Sequence, residues 1–381
     1  MKWNKHTNAL VLSPRDVYIL SQCGVRSDEL LRGSAGPSWL PPLWSVLSFE
    51  LFRNQTSWVK GFWRSYRRTK QLADETEQHY TPQTIAKSTR GTRQLFIPSW
   101  DLANRQQFIL REILEQIPVS PCAFAYRKGI RPSDCARPHE GHQVLIHVDI
   151  QDFFSTITKA MVFQALLRET AYPESLLDFL ARICCYRGRL PQGACTSPAL
   201  SNICFLPCDN ALEAYSSERG LTYTRYSDDL FFSGSDVDVG TVIPQIRDIL
   251  SQHGFTMNDG KTRVLRHYQS QRVLGLVVNE ATHINRPYLR DLRQQIYYLK
   301  KYGPDSYCAR QSGSYYQYLC RLLGRISYVL SVEPDKKGFL EAKEFVHEQV
   351  QKLEPLRTSR LYGEEILGSD GTASDFAMLL F

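Results

Sequence analysis

The sequence predicts an α+β chain in which a region of helices and antiparallel strands precedes a wholly helical region. Three features point there. Short apolar blocks bounded by turn residues, such as Val144–Asp149 and Leu221–Tyr226, have the length and composition of strands. Apolar residues at helical spacing (Phe108, Ile109, Ile113, Leu114, Ile117) mark helices among them, and from about residue 287 only that pattern remains. No glycine-rich phosphate loop opens a helix after a strand, which argues against dinucleotide-binding and P-loop folds. With 381 residues, 43% hydrophobic and 22% charged, the chain can bury a real core and is long enough for two or three domains.

Residues 1–85 form an N-terminal extension with few signals. Trp39-Leu-Pro-Pro-Leu-Trp44 suggests a turn leading into an apolar helix. Lys60 to Lys70 interleaves cations with aromatic rings, which suits phosphate contacts with base stacking or, equally, a solvated helix with its rings in the core. Arg93–Pro98 is a short strand stopped by proline, and Leu102–Ile117 a helix ended by Pro118 and Pro121. Val144–Asp149 is a buried strand with an aspartate at its end. Helices follow over Lys159–Arg168, Glu174–Cys185 and Pro198–Tyr215. Leu221–Tyr226 and Leu230–Ser233 make a hairpin with Asp228 and Asp229 at its tip. Val242–His253 is helical and Gln271–Asn279 a strand pair. Leu289, Leu292, Ile296 and Leu299 share one face of a helix that Pro304 breaks, and further helices cover Ser314–Leu330 and Gly338–Leu353.

The chemistry centres on the acids. Asp228 and Asp229 adjoin in an apolar hairpin, and Asp149 closes another strand. Carboxylates so placed repel one another, and a divalent cation lets them stay ionised. Oxygen donors suit Mg2+, with Mn2+ as a substitute. Two such ions about 4 Å apart can activate an attacking hydroxyl and stabilise a leaving pyrophosphate. Neighbouring strand residues point to opposite faces, so one of Asp228 and Asp229 should be the stronger ligand. An Asp-Asp pair alone reads as well as a solvated turn, but three further strings accompany it. In Asp149-Ile-Gln-Asp-Phe-Phe154, a ring beside the metal can exclude a ribose 2′-hydroxyl; Phe154 is the candidate, with Phe153 in the core. In Leu190-Pro-Gln-Gly-Ala-Cys-Thr-Ser-Pro198, Gly193 permits close backbone approach to a ligand and Gln192 offers an amide beside it. In Asn258-Asp-Gly-Lys261-Thr, the lysine can act on the leaving pyrophosphate.

Taken in order, these strings resemble the motifs of reverse transcriptases, with Tyr226-Ser-Asp-Asp229 similar to the catalytic hairpin and Val273-Leu-Gly-Leu-Val-Val278 to the primer grip. Gly324 to Pro334 resembles a thumb helix of bacterial members. The resemblance covers residues of about 90 to 335. It is strongest to retron-type enzymes, which Ala125-Tyr-Arg-Lys-Gly-Ile130 and Cys184-Cys-Tyr186 also look like. Two family marks depart: Cys135-Ala-Arg-Pro-His139 stands for Asn-Ala-x-x-His, and Val273-Leu-Gly275 for Val-Thr-Gly.

The resemblance implies a right-hand polymerase, with fingers and an antiparallel palm sheet in residues 86–280 and a helical thumb and tail in 281–381. Asp149, Asp228 and Asp229 would hold two Mg2+ ions, Phe154 would be the sugar gate, Gln192 and Gly193 would contact the deoxynucleoside triphosphate, and Lys261 would act on pyrophosphate. Arg93 would hold the triphosphate, with Lys87 and Arg90 as rivals, and Leu274 and Gly275 would hold the primer. The implied partners are a structured non-coding RNA as template and primer, the RNA–DNA hybrid product and a separate effector protein. The implied role is anti-phage defence with a branched product. Rival readings are another defence-associated or group II intron-like reverse transcriptase, and a non-catalytic RNA-binding scaffold.

The remaining residues fit that reading. A net charge of +7 is a moderate basic excess. In the helical region Arg290 and Arg293, and again Arg321 and Arg325, are spaced to share a helix face, beside Lys300, Lys301 and several tyrosines. Such a surface suits an A-form duplex and predicts a steep salt dependence of RNA binding. The ten cysteines show no zinc or disulfide spacing, and Cys184, Cys204 and Cys320 sit in apolar segments as reduced, buried thiols do. His139, His142 and His147 fit no standard zinc pattern. The start lacks a signal-peptide core and no apolar run approaches a membrane span, so no membrane partner and a cytoplasmic location are expected.

Overall fold

The computed structural model describes residues 2–4, 9–11, 68–86, 91–303 and 315–365, with side-chain surroundings for 68–86, 91–303 and 315–353. The Trp39–Trp44 turn, the aromatic and basic string up to Arg67, Lys87 and Arg90 lie outside these residues. The chain divides into two compact units, Met1–Gln269 and Ser270–Phe381.

In the first unit, β1 (Lys2–Asn4) pairs with β2 (Ala9–Val11), and β3 (Tyr80–Ala86) with β4 (Thr92–Pro98), both antiparallel. The boundary expected after residue 85 therefore falls inside a strand. The reason is local: Tyr80 is buried, accepts a 2.7 Å hydrogen bond from the Gln106 amide and packs its ring against Tyr186. That anchors the β3–β4 hairpin to helix α1 (Trp100–Glu112), which carries Gln106. The chain then runs through the short helix α2 (Pro132–Ala136) into β5 (Val144–Asp149). Helices α3 (Phe153–Thr156), α4 (Lys159–Glu169), α5 (Glu174–Cys184) and α6 (Ser197–Glu218) follow. The hairpin β6 (Thr222–Tyr226) and β7 (Asp229–Gly234), helix α7 (Val239–Gln252) and β8 (Arg263–Arg266) complete the unit.

Strands β6, β7, β5 and β8 lie side by side in that order as one antiparallel sheet. On one face Ile146, Val148, Leu230 and Phe232 enter the main core with Phe153, Phe205 and Phe255. On the other, Leu145 and Phe231 are also buried, which is why β5 is apolar at Leu145 as well as at Val144, Ile146 and Val148, with only His147 and Asp149 polar. Helix α6 tolerates Pro207 in its interior. Proline has no N–H for the carbonyl of Ile203 four residues earlier, and Arg168 donates to that carbonyl instead at 2.9 Å.

In the second unit β9 (Arg272–Val273), β10 (Leu276–Val277) and β11 (His283–Ile284) form a small antiparallel sheet, followed by α8 (Arg286–Tyr302), α9 (Tyr315–Val332) and α10 (Lys337–Glu365). Residues 270–280, read from sequence with the preceding region, belong here: their strands pair with β11, whose Ile284 amide donates to Glu333 at 3.1 Å. Leu289, Leu292, Ile296 and Leu299 are the buried stripe of α8. The eight described cysteines are free thiols, and Cys184, Cys204 and Cys208 are buried. Cys320 is exposed, a correction to its expected burial: it falls on the outward face of α9, between the inward Leu319 and Leu322.

Candidate active site

Asp149, the last residue of β5, is the register partner of Asp229, the first of β7. Facing residues of an antiparallel pair project from the same side, so the two carboxylates share one face. Asp228 lies in the two-residue turn, Ser227-Asp228, that joins β6 to β7. Ser227 takes φ +60°, a left-handed conformation that a residue with a side chain holds only where its surroundings impose it.

Those surroundings start with Arg225. Its guanidinium is fully buried and makes a two-pronged pair with Asp209 at 2.8 and 2.6 Å. It also donates at 3.1 Å to Asn202 and at 3.1 Å to the Ser227 carbonyl, over the face of Phe205. Burial pushes the guanidinium pKa down and Asp209 more than restores it, so Arg225 stays charged. A second tie comes from Tyr126, whose hydroxyl is 2.8 Å from Ser227 Oγ. The Asp228 amide neighbourhood is fixed too, since the Asp228 carbonyl accepts from Ile150 at 2.9 Å.

The acids have protein partners. Asp149 accepts from Lys261 Nζ at 2.8 Å and Asn258 Nδ2 at 3.0 Å. Asp229 is 2.7 Å from His147 Nε2, and the His147 ring stacks on Phe231. The hydrogen bond that Lys261 donates to Asp149 raises the Lys261 pKa. Burial first, then the like charges of Asp229 and Asp149, raise that of Asp228. Among the described residues no group of three or more His, Cys, Asp or Glu side chains is spaced to hold a metal ion. The donor set nonetheless fits a hard divalent cation: the three candidate side chains all offer carboxylate oxygens, and burial followed by like charge raises Asp228, which a cation would offset.

A cavity of about 690 Å³ opens over these acids. Of the residues singled out from sequence, it brings together Arg93, Gln192, Asp149, Asp228 and Lys261. Phe154, Gly193 and Asp229 are not on its wall. Phe153 is in the core, as read from sequence, with its edge also on the cavity, while Phe154 is half-buried and packs on Phe153 and Tyr126. Gly193 does allow a close backbone approach, but to the protein itself. At φ +121° it lies against β4, where a Cβ would come 2.7 Å from the Phe96 carbonyl, and the Gln192 carbonyl accepts from Phe96 at 2.7 Å. Gly193 thus joins the Gln192 loop to the strand that bears Arg93.

Sequence reasoning missed four contributors. Arg187 and Arg189 line the cavity and bring positive charge opposite the acids; two cations immediately before Leu190-Pro-Gln-Gly were the available signal. Arg225 and Asp209 had none, because nothing in their spacing shows that they meet. The three histidines do not converge: His139 and His142 both meet the Ser233 hydroxyl, and His147 meets Asp229.

In the second unit Leu274 and Gly275 form the two-residue turn between β9 and β10, at φ +52° and +82°. Arg290, Arg293 and Arg321 are exposed, with the Arg293 guanidinium over the Phe339 ring. Arg325, expected to face RNA, is turned inward: it bonds Asp291 at 2.7 Å and Tyr288 OH at 3.3 Å, tying α9 to α8.

A family model described as "Reverse transcriptase (RNA-dependent DNA polymerase)" matches residues 85–278. Three curated relatives are similar. Retron Ec86 reverse transcriptase of Escherichia coli is 30% identical over 63% of this chain and 72% of its own length. Retron Mx162 reverse transcriptase of Myxococcus xanthus is 30% identical over 70% of this chain and 60% of its own length. Retron Mx65 reverse transcriptase, also from Myxococcus xanthus, is 34% identical over 58% of this chain and 57% of its own length. The match thus spans less than two thirds of the two Myxococcus proteins. Among solved structures, apo telomerase from Candida tropicalis aligns loosely, with TM-score 0.43 and 11% identity over 72% of this chain and 58% of that one.

Proposed function

The chain belongs to the reverse transcriptase family and is of the retron type, an α+β right-hand polymerase dependent on divalent metal; from that premise we propose that it copies part of a dedicated, structured non-coding RNA into DNA. The observation that carries the proposal is the single cavity that gathers Asp149, Asp228, Lys261, Gln192 and Arg93. The proposal keeps fingers and palm in residues of about 86–280 and a helical thumb in 281–381, with residues 1–85 as an extension whose role it does not assign; the unit boundary after Gln269 moves the 270–280 strands to the side of the helical region.

Asp149, Asp228 and Asp229 would hold two Mg2+ ions. Bound there, the ions would acidify the primer hydroxyl and take up charge on the leaving pyrophosphate. All other parts fall to the chain. Arg93, with Arg187 and Arg189, lines the cavity with donors for the triphosphate oxygens. Phe154, packed behind the cavity-lining Phe153, would limit the space beside the sugar against a 2′-hydroxyl. Gln192 contacts the nucleotide from a loop that Gly193 seats on β4. The primer hydroxyl gives its proton to solvent as its oxygen forms a bond to the α-phosphorus and the bond from that phosphorus to the bridging β-phosphate oxygen breaks, and Lys261, released from Asp149, donates a proton to the departing pyrophosphate. In the thumb, the exposed Arg290, Arg293 and Arg321 bind phosphates of the duplex, while the Leu274-Gly275 turn holds the primer.

The proposal extends to a branched product primed from a 2′-hydroxyl of the same RNA, to anti-phage defence with a separate effector protein, and to a cytoplasmic location. No described helix is long and apolar enough to cross a membrane. The test is sequencing of nucleic acid that co-purifies with the chain, expressed with its native flanking DNA, as wild type and as Asp228→Asn. A discrete cDNA joined to one small RNA, present only with the wild type, is expected. RNA without cDNA in both samples would mean a scaffold, and unbranched or repetitive cDNA another kind of reverse transcriptase.

A further inference from the structure

The string Ala125-Tyr-Arg-Lys-Gly-Ile130 takes no part in the chemistry above, yet Tyr126 within it touches two elements of the site at once. Its hydroxyl is 2.8 Å from Ser227 Oγ, in the turn that carries Asp228. Its ring stands 6.4 Å from that of Phe154, centroid to centroid, tilted by 55°. On its other side Phe154 meets the Phe153 ring at 5.5 Å, and Phe153 is buried in the core. Phe154 is therefore flanked by a buried ring, Phe153, and by Tyr126.

Tyr126 is itself held. It has φ +63°, a left-handed backbone that a residue with a side chain adopts only under constraint. The constraint is explicit in its neighbours. The Ala125 carbonyl accepts from Asn202 at 2.9 Å, the Phe124 amide donates to the Arg225 carbonyl at 2.8 Å, and Arg127 reaches back to the Ala123 carbonyl at 3.0 Å. Core packing does not explain the conformation, because the Tyr126 side chain is 48% exposed. A half-exposed tyrosine is thus fixed between Phe154 and Ser227 by the same Arg225–Asn202 network that holds the Ser227-Asp228 turn.

We propose that Tyr126 is a positioning residue for sugar specificity: its ring braces Phe154 against the incoming nucleotide, and its hydroxyl locks that brace to Ser227. The inference rests on Phe154 as the sugar gate. A gate excludes a 2′-hydroxyl only if its ring cannot yield by a few tenths of an ångström, and Tyr126 adds a second backing to the one Phe153 gives from the core. The two halves of the residue then have separate readouts: the ring acts on discrimination, and the hydroxyl acts on rate through the turn.

The test uses the full chain on poly(rC) primed with oligo(dG), comparing kcat/KM for dGTP with that for GTP. Phe154→Ala should lower the ratio. Tyr126→Leu should lower it by about 5-fold, the worth of one aromatic pair, with its unfolding midpoint held near wild type. Tyr126→Met carries the same arm should Tyr126→Leu fold poorly. Tyr126→Phe should keep the ratio but cut kcat for dGTP by about 5-fold at unchanged KM, the worth of one hydrogen bond. Ser227→Ala should match that loss, and the double variant should lose no more. A lowered ratio in Phe154→Ala with an unchanged ratio in Tyr126→Leu and Tyr126→Met overturns the brace. An unchanged ratio in Phe154→Ala overturns the gate reading itself, and the brace with it.

Discussion

Replacing Arg225 by Met removes the one salt-bridge partner that Asp209 has among the described residues, in a site where both side chains are fully buried. The loss can be worked from its contacts. Two charge-assisted bonds to Asp209 vanish, as do single bonds to Asn202 and to the Ser227 carbonyl, and Asp209 keeps only the Tyr223 hydroxyl at 2.8 Å. Breaking a buried ion pair in this way costs about 3–5 kcal/mol, chiefly because a carboxylate is left in a dry interior without a counter-charge. Arg225→Met should therefore lower the stability of the first unit by about that amount in urea unfolding. Adding Asp209→Asn removes the stranded charge and still offers Tyr223 an acceptor, so the double variant should recover about 2 kcal/mol of the loss. It should not recover polymerisation, because the Ser227 carbonyl still lacks its donor and the turn that carries Asp228 is no longer set. A double variant as unstable as the single one would refute the ion-pair account, and a stable double variant with full activity would refute the role of the network in placing the turn.

The remaining predictions concern pH, packing and RNA. Burial lowers the pKa of His139 to about 3, with His142 adding to the effect. An unfolded histidine titrates near 6.5, so between the two values the unfolded chain binds the extra proton and stability falls as pH falls. From pH 6.5 to 5 the His139 share is about 2 kcal/mol, read as the difference in slope between wild type and His139→Gln; identical slopes would refute it. Gly193→Ala puts a Cβ 2.7 Å from the Phe96 carbonyl at φ +121°, and should cost about 1–3 kcal/mol in unfolding and raise KM for dNTP as the Gln192 loop lifts from β4. A variant with unchanged KM would detach Gln192 from nucleotide binding. Arg290→Gln should reduce the slope of log K against log salt for RNA by about 1, whereas Arg325→Gln, which breaks the Asp291 contact, should lower stability and leave that slope alone. Equal slope changes in the two variants would mean that Arg325 leaves Asp291 to bind RNA.

Much of this protein was legible in its sequence because the signals were local. A strand or helix shows in the period of its apolar residues, so β5, the β6–β7 hairpin and the α8 stripe lie where the periodicity placed them. Asp149, Asp228, Gln192 and Lys261 stood out because each sits in a short string whose residue types suit one chemistry, and the fold brings them to one cavity.

The tertiary structure decided whatever depends on two distant segments meeting. Asp209 and Arg225 are 16 residues apart, and Tyr126 is 101 from Ser227; no spacing rule links either pair, and only the sheet register and the path of α6 bring them together. Gly193 looked like a ligand contact because the sequence shows that a backbone needs room there, not what takes the room; the answer was β4. Arg325 looked solvent-facing because helical spacing cannot tell which cation finds an aspartate on the next helix. By itself the sequence determined which residues could do the chemistry. Only the packed chain decided which are held in place to do it, because orientation comes from long-range hydrogen bonds whose partners are neighbours in space alone.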